Sequence, residues 1–195
     1  ILRLSSTHHV AVLFPMIGGV DEIVQARHAV EEAKDELRSS GIPYNERIRI
    51  GAMIETPAAA ITARHIAREV DFLSIGTNDL VQYLLAADRT SKELSSYYEP
   101  LHPAVIATLK AVLDAASSAA CDVSICGEIA GNPVFTELLL GLGARSISVA
   151  PGEILEIKRI VRSIDLAHSQ ELAAKVLDAR TIGDVKAQLT LKADA

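Results

Sequence analysis

Asp71-Phe72-Leu73-Ser74-Ile75-Gly76-Thr77-Asn78-Asp79-Leu80 decides the fold class. An apolar run, Phe72–Ile75, ends at a glycine, and polar residues suited to opening a helix follow at once. That is the grammar of a strand, a tight turn and a helix. Working outward, the same grammar recurs. The apolar runs Val10–Phe14, Ile48–Ile54, Val123–Cys126 and Ile147–Val149 alternate with helical patterns. Between the first two, Ile23, Ala26, Val30, Ala33 and Leu37 recur at steps of three and four, the spacing of one helix face. Asp21 and Glu22 suit that helix's N-terminus and Gly41 its C-terminal cap. Pro57, Pro103 and Pro133 sit where new helices can start. Pro103–Ala119 reads as a second strong helix, and Ile154–Leu191 as helical with a break near Arg180–Gly183. Five strand-then-helix units predict an α/β fold with parallel strands and helices outside them. Alternation by itself leaves an open sheet and a barrel equally possible.

The bulk numbers narrow the function classes. A chain of 195 residues suits one domain with a sizeable core. A net charge of −6 argues against nucleic-acid binding. No apolar run approaches the roughly 18 residues of a membrane span. The start, Ile1-Leu2-Arg3-Leu4, is too short and wrongly flanked for a signal peptide. It reads as the last turn of a helix and begins without Met, which suggests a fragment or a processed chain. Cys121 and Cys126 are five apart on one strand and its end, a poor geometry for a disulfide. A reducing, cytoplasmic setting is expected.

In parallel α/β folds the loops after the strands carry the chemistry. The second run ends in Glu55-Thr56-Pro57 and the third in Gly76-Thr77-Asn78-Asp79. Glu55 and Asp79 on neighbouring strand ends would repel unless a cation such as Mg²⁺ lay between them. Glu55 as a helix cap is the equally weighted alternative. Asn78 and Asp79 open a helix whose free N–H groups favour anions, or they merely cap it. Arg89 could hold a phosphate with its planar guanidinium, or form a surface ion pair with Asp88 or Glu93. Cys126, before Gly127, could donate a proton, or be a small buried residue. Cys121 reads as packing. His28 and His65 fall on helices, His102 at a helix start, and no two histidines are spaced as metal ligands. There is no Ser/His/Asp triad pattern and no P-loop.

Several of these segments together resemble one family. They are Phe14-Pro15-Met16-Ile17, Gly51–Ala59, Asp71–Leu80, Leu101-His102-Pro103-Ala104-Val105 and Cys126-Gly127-Glu128-Ile129-Ala130-Gly131. In order, over almost the whole chain, they look like the C-terminal barrel of Enzyme I of the bacterial phosphotransferase system, phosphoenolpyruvate-protein phosphotransferase. Gln82–Arg89 is more like Enzyme I than like the related pyruvate phosphate dikinase or phosphoenolpyruvate synthase.

The resemblance implies a (β/α)8 barrel of the TIM type with about five βα units present. Residues 1–195 would be its C-terminal portion and 155–195 the closing helices. It implies Mg²⁺ held by Glu55 and Asp79, phosphoenolpyruvate contacted by Asn78, Asp79 and Arg89, and Cys126 protonating the enolate to give pyruvate. It implies a homodimer, a phosphohistidine domain at the N-terminus and a phosphocarrier protein as partner. Such a barrel has eight strands and roughly 250 residues. Two substrate-binding arginines and the histidine domain would lie upstream, so this chain alone is expected to be inactive. Two rival readings are a dikinase or Mg²⁺-enolate lyase barrel and a non-catalytic dimerisation or ligand-binding module. The Cys126-Gly127-Glu128 motif disfavours the lyase.

Overall fold

The computed structural model describes residues 1–91, 93–94 and 96–190. A short helix α1 (Leu2–Ser5) leads to β1 (Ala11–Phe14), α2 (Val20–Ser39) and β2 (Arg49–Ile54). After these come α3 (Pro57–Ile61), α4 (Ala63–Ile66), β3 (Phe72–Gly76) and α5 (Thr77–Leu84). The second half comprises α6 (Pro103–Ser118), β4 (Asp122–Cys126), α7 (Glu128–Gly131) and α8 (Pro133–Leu142). A 3₁₀ turn (Pro151–Glu153) then introduces α9 (Ile154–Ser163), α10 (Leu166–Leu177) and α11 (Ile182–Thr190).

Among the described residues four strands, all parallel, lie in the order β1-β2-β3-β4. A doubly wound sheet reverses its strand order at a switch point; an order that only advances belongs to a singly wound sheet, the wall of a barrel. The register aligns Met53 with Ser74 and Ser74 with Ser124, and Gly76 with Cys126. Side chains alternate between faces along a strand. Ala52, Ile54, Leu73, Ile75 and Ile125 therefore share the outer face, each fully buried against helices that contribute Ile66, Val105, Leu109 and Leu138. Burying each of the leucine and isoleucine side chains contributes roughly 1.5–3 kcal/mol, so this layer is a major apolar source of stability. Leu13, Met53, Ser124 and Cys126 share the inner face and are only half-buried.

Helix boundaries follow local chemistry. Gly41 adopts φ +66 and its N–H bonds to the Arg38 carbonyl while Ile42 N–H bonds to that of Leu37, closing α2 with a Schellman turn. His102 is structural: its Nδ1 accepts the Ala104 N–H at 3.1 Å, capping α6 ahead of Pro103. The fifth apolar run falls short of a strand. Ile147 makes a single parallel bridge to Ile125, because a run of three residues ending near Pro151 has room for one rung. The helical tail has, besides the expected break before Ile182, a second one at Ile164, where the chain is extended and Asp165 caps α10 through the His168 N–H. Residues 191–195, expected among the closing helices, lie outside the described residues. No described helix is long and apolar enough to cross a membrane.

Candidate functional site

The turn after β1 bends through Met16 at φ +57, a left-handed conformation uncommon outside glycine. That turn aims the Met16 N–H at Glu55 Oε1, 2.7 Å away. Strained backbone of this kind concentrates at functional sites. Glu55 does not cap a helix. Thr56 does so, its Oγ1 accepting the Ala59 N–H at 3.1 Å and donating to the Ile17 carbonyl at 2.9 Å. Glu55 is thereby left buried, 3% exposed, at the end of β2. It lies against Gly76: a Cβ there would sit 2.6 Å from Glu55 Oε2, so only glycine admits the carboxylate. Burial pushes the Glu55 carboxyl above its ordinary range. The Met16 N–H opposes this and the neighbouring Asp79 charge adds to it.

Asn78 and Asp79 lie in the first turn of α5, but neither caps it. Thr77 Oγ1 donates to the Cys126 carbonyl at 2.7 Å, and Asn78 Oδ1 accepts the Glu128 N–H at 2.8 Å. Two side chains of the β3 loop thus hold the β4 loop. Gly127 makes their approach possible, with φ +95 and no room for a Cβ, which would fall 2.4 Å from Thr77 Oγ1. Arg89 arrives from beyond α5. Its guanidinium lies 3.9 Å from Asp79 and 3.9 Å from Glu128, rather than beside Asp88, whose carboxylate binds Thr90. Tyr98 closes the group, its hydroxyl donating to the Asn78 carbonyl at 3.3 Å. Burial, then the Glu128 charge, push the Tyr98 phenol up, partly opposed by Arg89.

Cys126 ends β4 on the inner face, half-buried. Its Sγ lies 3.6 Å from Ser74 Oγ and 3.4 Å from the Ile75 carbonyl. Cys121 lies just before β4, at the other end of the strand, where burial raises its thiol. That is the packing role expected of it.

The end of the sheet that carries these groups matches the rule for parallel α/β folds. A cavity of about 660 Å³ opens at the opposite, N-terminal ends of the strands, lined among others by Arg49, Phe72 and Asp122. It contains none of the candidate site residues and reflects a floor built from Arg49. That guanidinium stacks 5.2 Å over the Phe72 ring and pairs with Asp122 at 3.0 Å.

Among the described residues no three or more His, Cys, Asp or Glu side chains gather as a metal cluster. A set of two carboxylates nevertheless fits Mg²⁺, which commonly takes one or two protein carboxylates and completes its shell with water and substrate oxygens. The buried Glu55 carboxylate at the end of β2, with the Asp79 charge as its neighbour, favours a cation there. The structure brings Glu55, Asn78, Asp79, Arg89 and Cys126 to the same end of three adjacent strands. Sequence reasoning missed Tyr98, the Met16 N–H and the bracing by Thr77 and Glu128. Thr77 and Glu128 lay within quoted motifs, whereas Tyr98 had no local pattern to mark it.

Comparison with known proteins agrees in one direction. The family described as PEP-utilising enzyme, PEP-binding domain, matches residues 1–166. A phosphoenolpyruvate-protein phosphotransferase of Haemophilus influenzae is 40% identical over 95% of this chain and 32% of its own length. Those of Buchnera aphidicola subsp. Schizaphis graminum and Borreliella burgdorferi are 44% and 41% identical, over 95% and 92% of this chain and 32% and 31% of theirs. The chain thus spans about a third of the length of these relatives. Among solved structures, a citrate lyase from Burkholderia xenovorans LB400 covers 100% of this chain with 66% of its own, at a TM-score of 0.57 and 16% identity. That likeness concerns the fold alone.

Proposed function

This chain belongs to the PEP-utilising enzymes, as their PEP-binding domain, and from that premise we propose that it is the substrate-binding part of an Enzyme I-type phosphotransferase. Such an enzyme moves the phosphoryl group of phosphoenolpyruvate to a histidine of its own N-terminal domain, then to a phosphocarrier protein, and releases pyruvate. The observation that carries the reading is the convergence of Glu55, Asn78, Asp79, Arg89 and Cys126 at the C-terminal ends of β2, β3 and β4.

Each residue has a role that its surroundings support. Glu55 and Asp79 would hold Mg²⁺, which when bound offsets negative charge on the phosphoryl and enolate oxygens. Asn78, its Oδ1 committed to Glu128, offers its NH₂ group to a phosphate oxygen. Among the described residues the Arg89 guanidinium has two long ion-pair contacts of 3.9 Å, which phosphate oxygens can replace with shorter, paired hydrogen bonds. As the bridging C–O bond keeps its oxygen and the phosphorus leaves for the acceptor, an enolate forms. Its methylene carbon takes the proton of the Cys126 thiol, and pyruvate results. The reading includes a cytoplasmic homodimer; two free cysteines fit the reducing setting.

Cys126→Ala in the full-length enzyme tests the assignment. Phosphoenolpyruvate and Mg²⁺ binding should stay near normal while pyruvate formation falls by more than ~100-fold. Melting temperature should hold. A lowered melting temperature with an unchanged rate per folded molecule would return Cys126 to a packing role.

A further inference from the structure

Ser74 lies mid-strand on the inner face and is 6% exposed, an environment that ordinarily selects an apolar side chain. Among the described residues its Oγ has two partners, both side chains of β4. It donates to Cys126 Sγ at 3.6 Å and accepts from Ser124 Oγ at 3.2 Å. The thiol itself points its proton at the Ile75 carbonyl, 3.4 Å away, so sulfur is the acceptor toward Ser74. Register explains the alignment. Ser74 pairs with Ser124 across β3 and β4, and Cys126 is two residues further along the same face. The three groups form one directed line, Ser124 to Ser74 to Cys126.

The geometry points to Ser74 as a positioning residue for the protonation step, acting through Cys126. This rests on the proton-donor reading of Cys126. When the thiol gives up its proton, the S–H electron pair stays on sulfur, and the enolate C=C pair forms the new C–H bond. A thiolate is then left on a half-buried strand end. Ser74 keeps its own proton and directs it at that sulfur. A hydrogen bond to a charged group is worth more than one to a neutral group, so the bond strengthens as the proton leaves. It also fixes the rotamer from which the thiol reaches the barrel mouth. Water then restores the thiol.

The test follows exchange of the pyruvate methyl protons with D₂O while the full-length enzyme equilibrates phosphoenolpyruvate and pyruvate, with melting temperature and phosphoenolpyruvate KM measured on each sample. Cys126→Ala should abolish exchange. Ser74→Ala should slow it about tenfold with KM and melting temperature unchanged, and Ser74→Thr, which restores the hydroxyl, should recover most of the loss. Wild-type exchange in Ser74→Ala, or a loss that follows melting temperature and is not repaired by Ser74→Thr, would overturn the role of Ser74 and leave Cys126 untouched. Exchange persisting in Cys126→Ala would instead overturn the donor reading, and this role with it. Should Ser74→Ala fail to fold, Ser124→Ala decides: a slowing of about threefold supports the line, and no change sinks it.

Discussion

Asn78 Oδ1 accepts the backbone N–H of Glu128 at 2.8 Å, joining the loops after β3 and β4 across 50 residues of sequence. The bond exists because Gly127, at φ +95, leaves Asn78 space that a Cβ would take; the nearest approach to Asn78 Oδ1 would be 2.7 Å. Gly127→Ala should therefore destabilise the fold by about 2–4 kcal/mol, combining a strained backbone with a clash. Urea unfolding of the chain measures this. Asn78→Ala should cost about 1 kcal/mol in the same assay, with weaker phosphoenolpyruvate binding in the full-length enzyme. A Gly127→Ala variant as stable as wild type would mean that the brace is not required.

Glu55 and Asp79 should behave as one metal site. Mg²⁺ should raise the melting temperature of the wild-type chain and leave Glu55→Gln and Asp79→Asn nearly unmoved. Without metal, Glu55→Gln should be as stable as wild type or more so, because a buried carboxylate beside the half-exposed Asp79 has lost its charge. Equal Mg²⁺ stabilisation in all three proteins would rule the pair out as ligands.

The segment after Arg89 is tied to the last helix by Glu99, which accepts from Lys186 Nζ at 2.7 Å and from the Leu101 N–H at 3.1 Å. Burial alone would push the Glu99 carboxyl up. Lys186 and the Leu101 N–H outweigh it, and the folded value lies below the ordinary one. A depressed carboxyl stabilises the fold above the unfolded value, about 4.3, and that contribution is lost as pH falls through the folded value. The stability difference between wild type and Glu99→Gln should accordingly be present at pH 6 and shrink steadily below about pH 4. Urea titrations across that range check it, and a pH-independent difference would contradict it.

The chain should self-associate, with a homodimer as the expected species. Among the described residues β1 is one edge of the sheet, and β4 meets Ile147 by a single bridge on its other side. Open parallel edges are normally covered. Light scattering should give twice the monomer mass, and a stable monomer at high concentration would refute the expectation.

By itself the sequence determined the α/β class, four of the five strand positions within a residue or so, and the helix starts at Pro57, Pro103 and Pro133. These depend on local periodicity and on the restricted backbone of proline and glycine, which act within a few residues. It also pointed to Glu55, Asn78, Asp79, Arg89 and Cys126, because each follows an apolar run or falls within a motif. Alternation alone left open sheet and barrel wall undecided; the resemblance implied a barrel, and the strand order, which depends on pairings between distant residues, agrees with it. Only the tertiary structure settled that Thr56 and not Glu55 caps α3, a choice local spacing left even. It also placed Tyr98 over Asn78, and Ser74 beside Cys126. Those neighbours are 20 and 52 residues apart in the chain, and it is the parallel register and a crossing loop that make them adjacent.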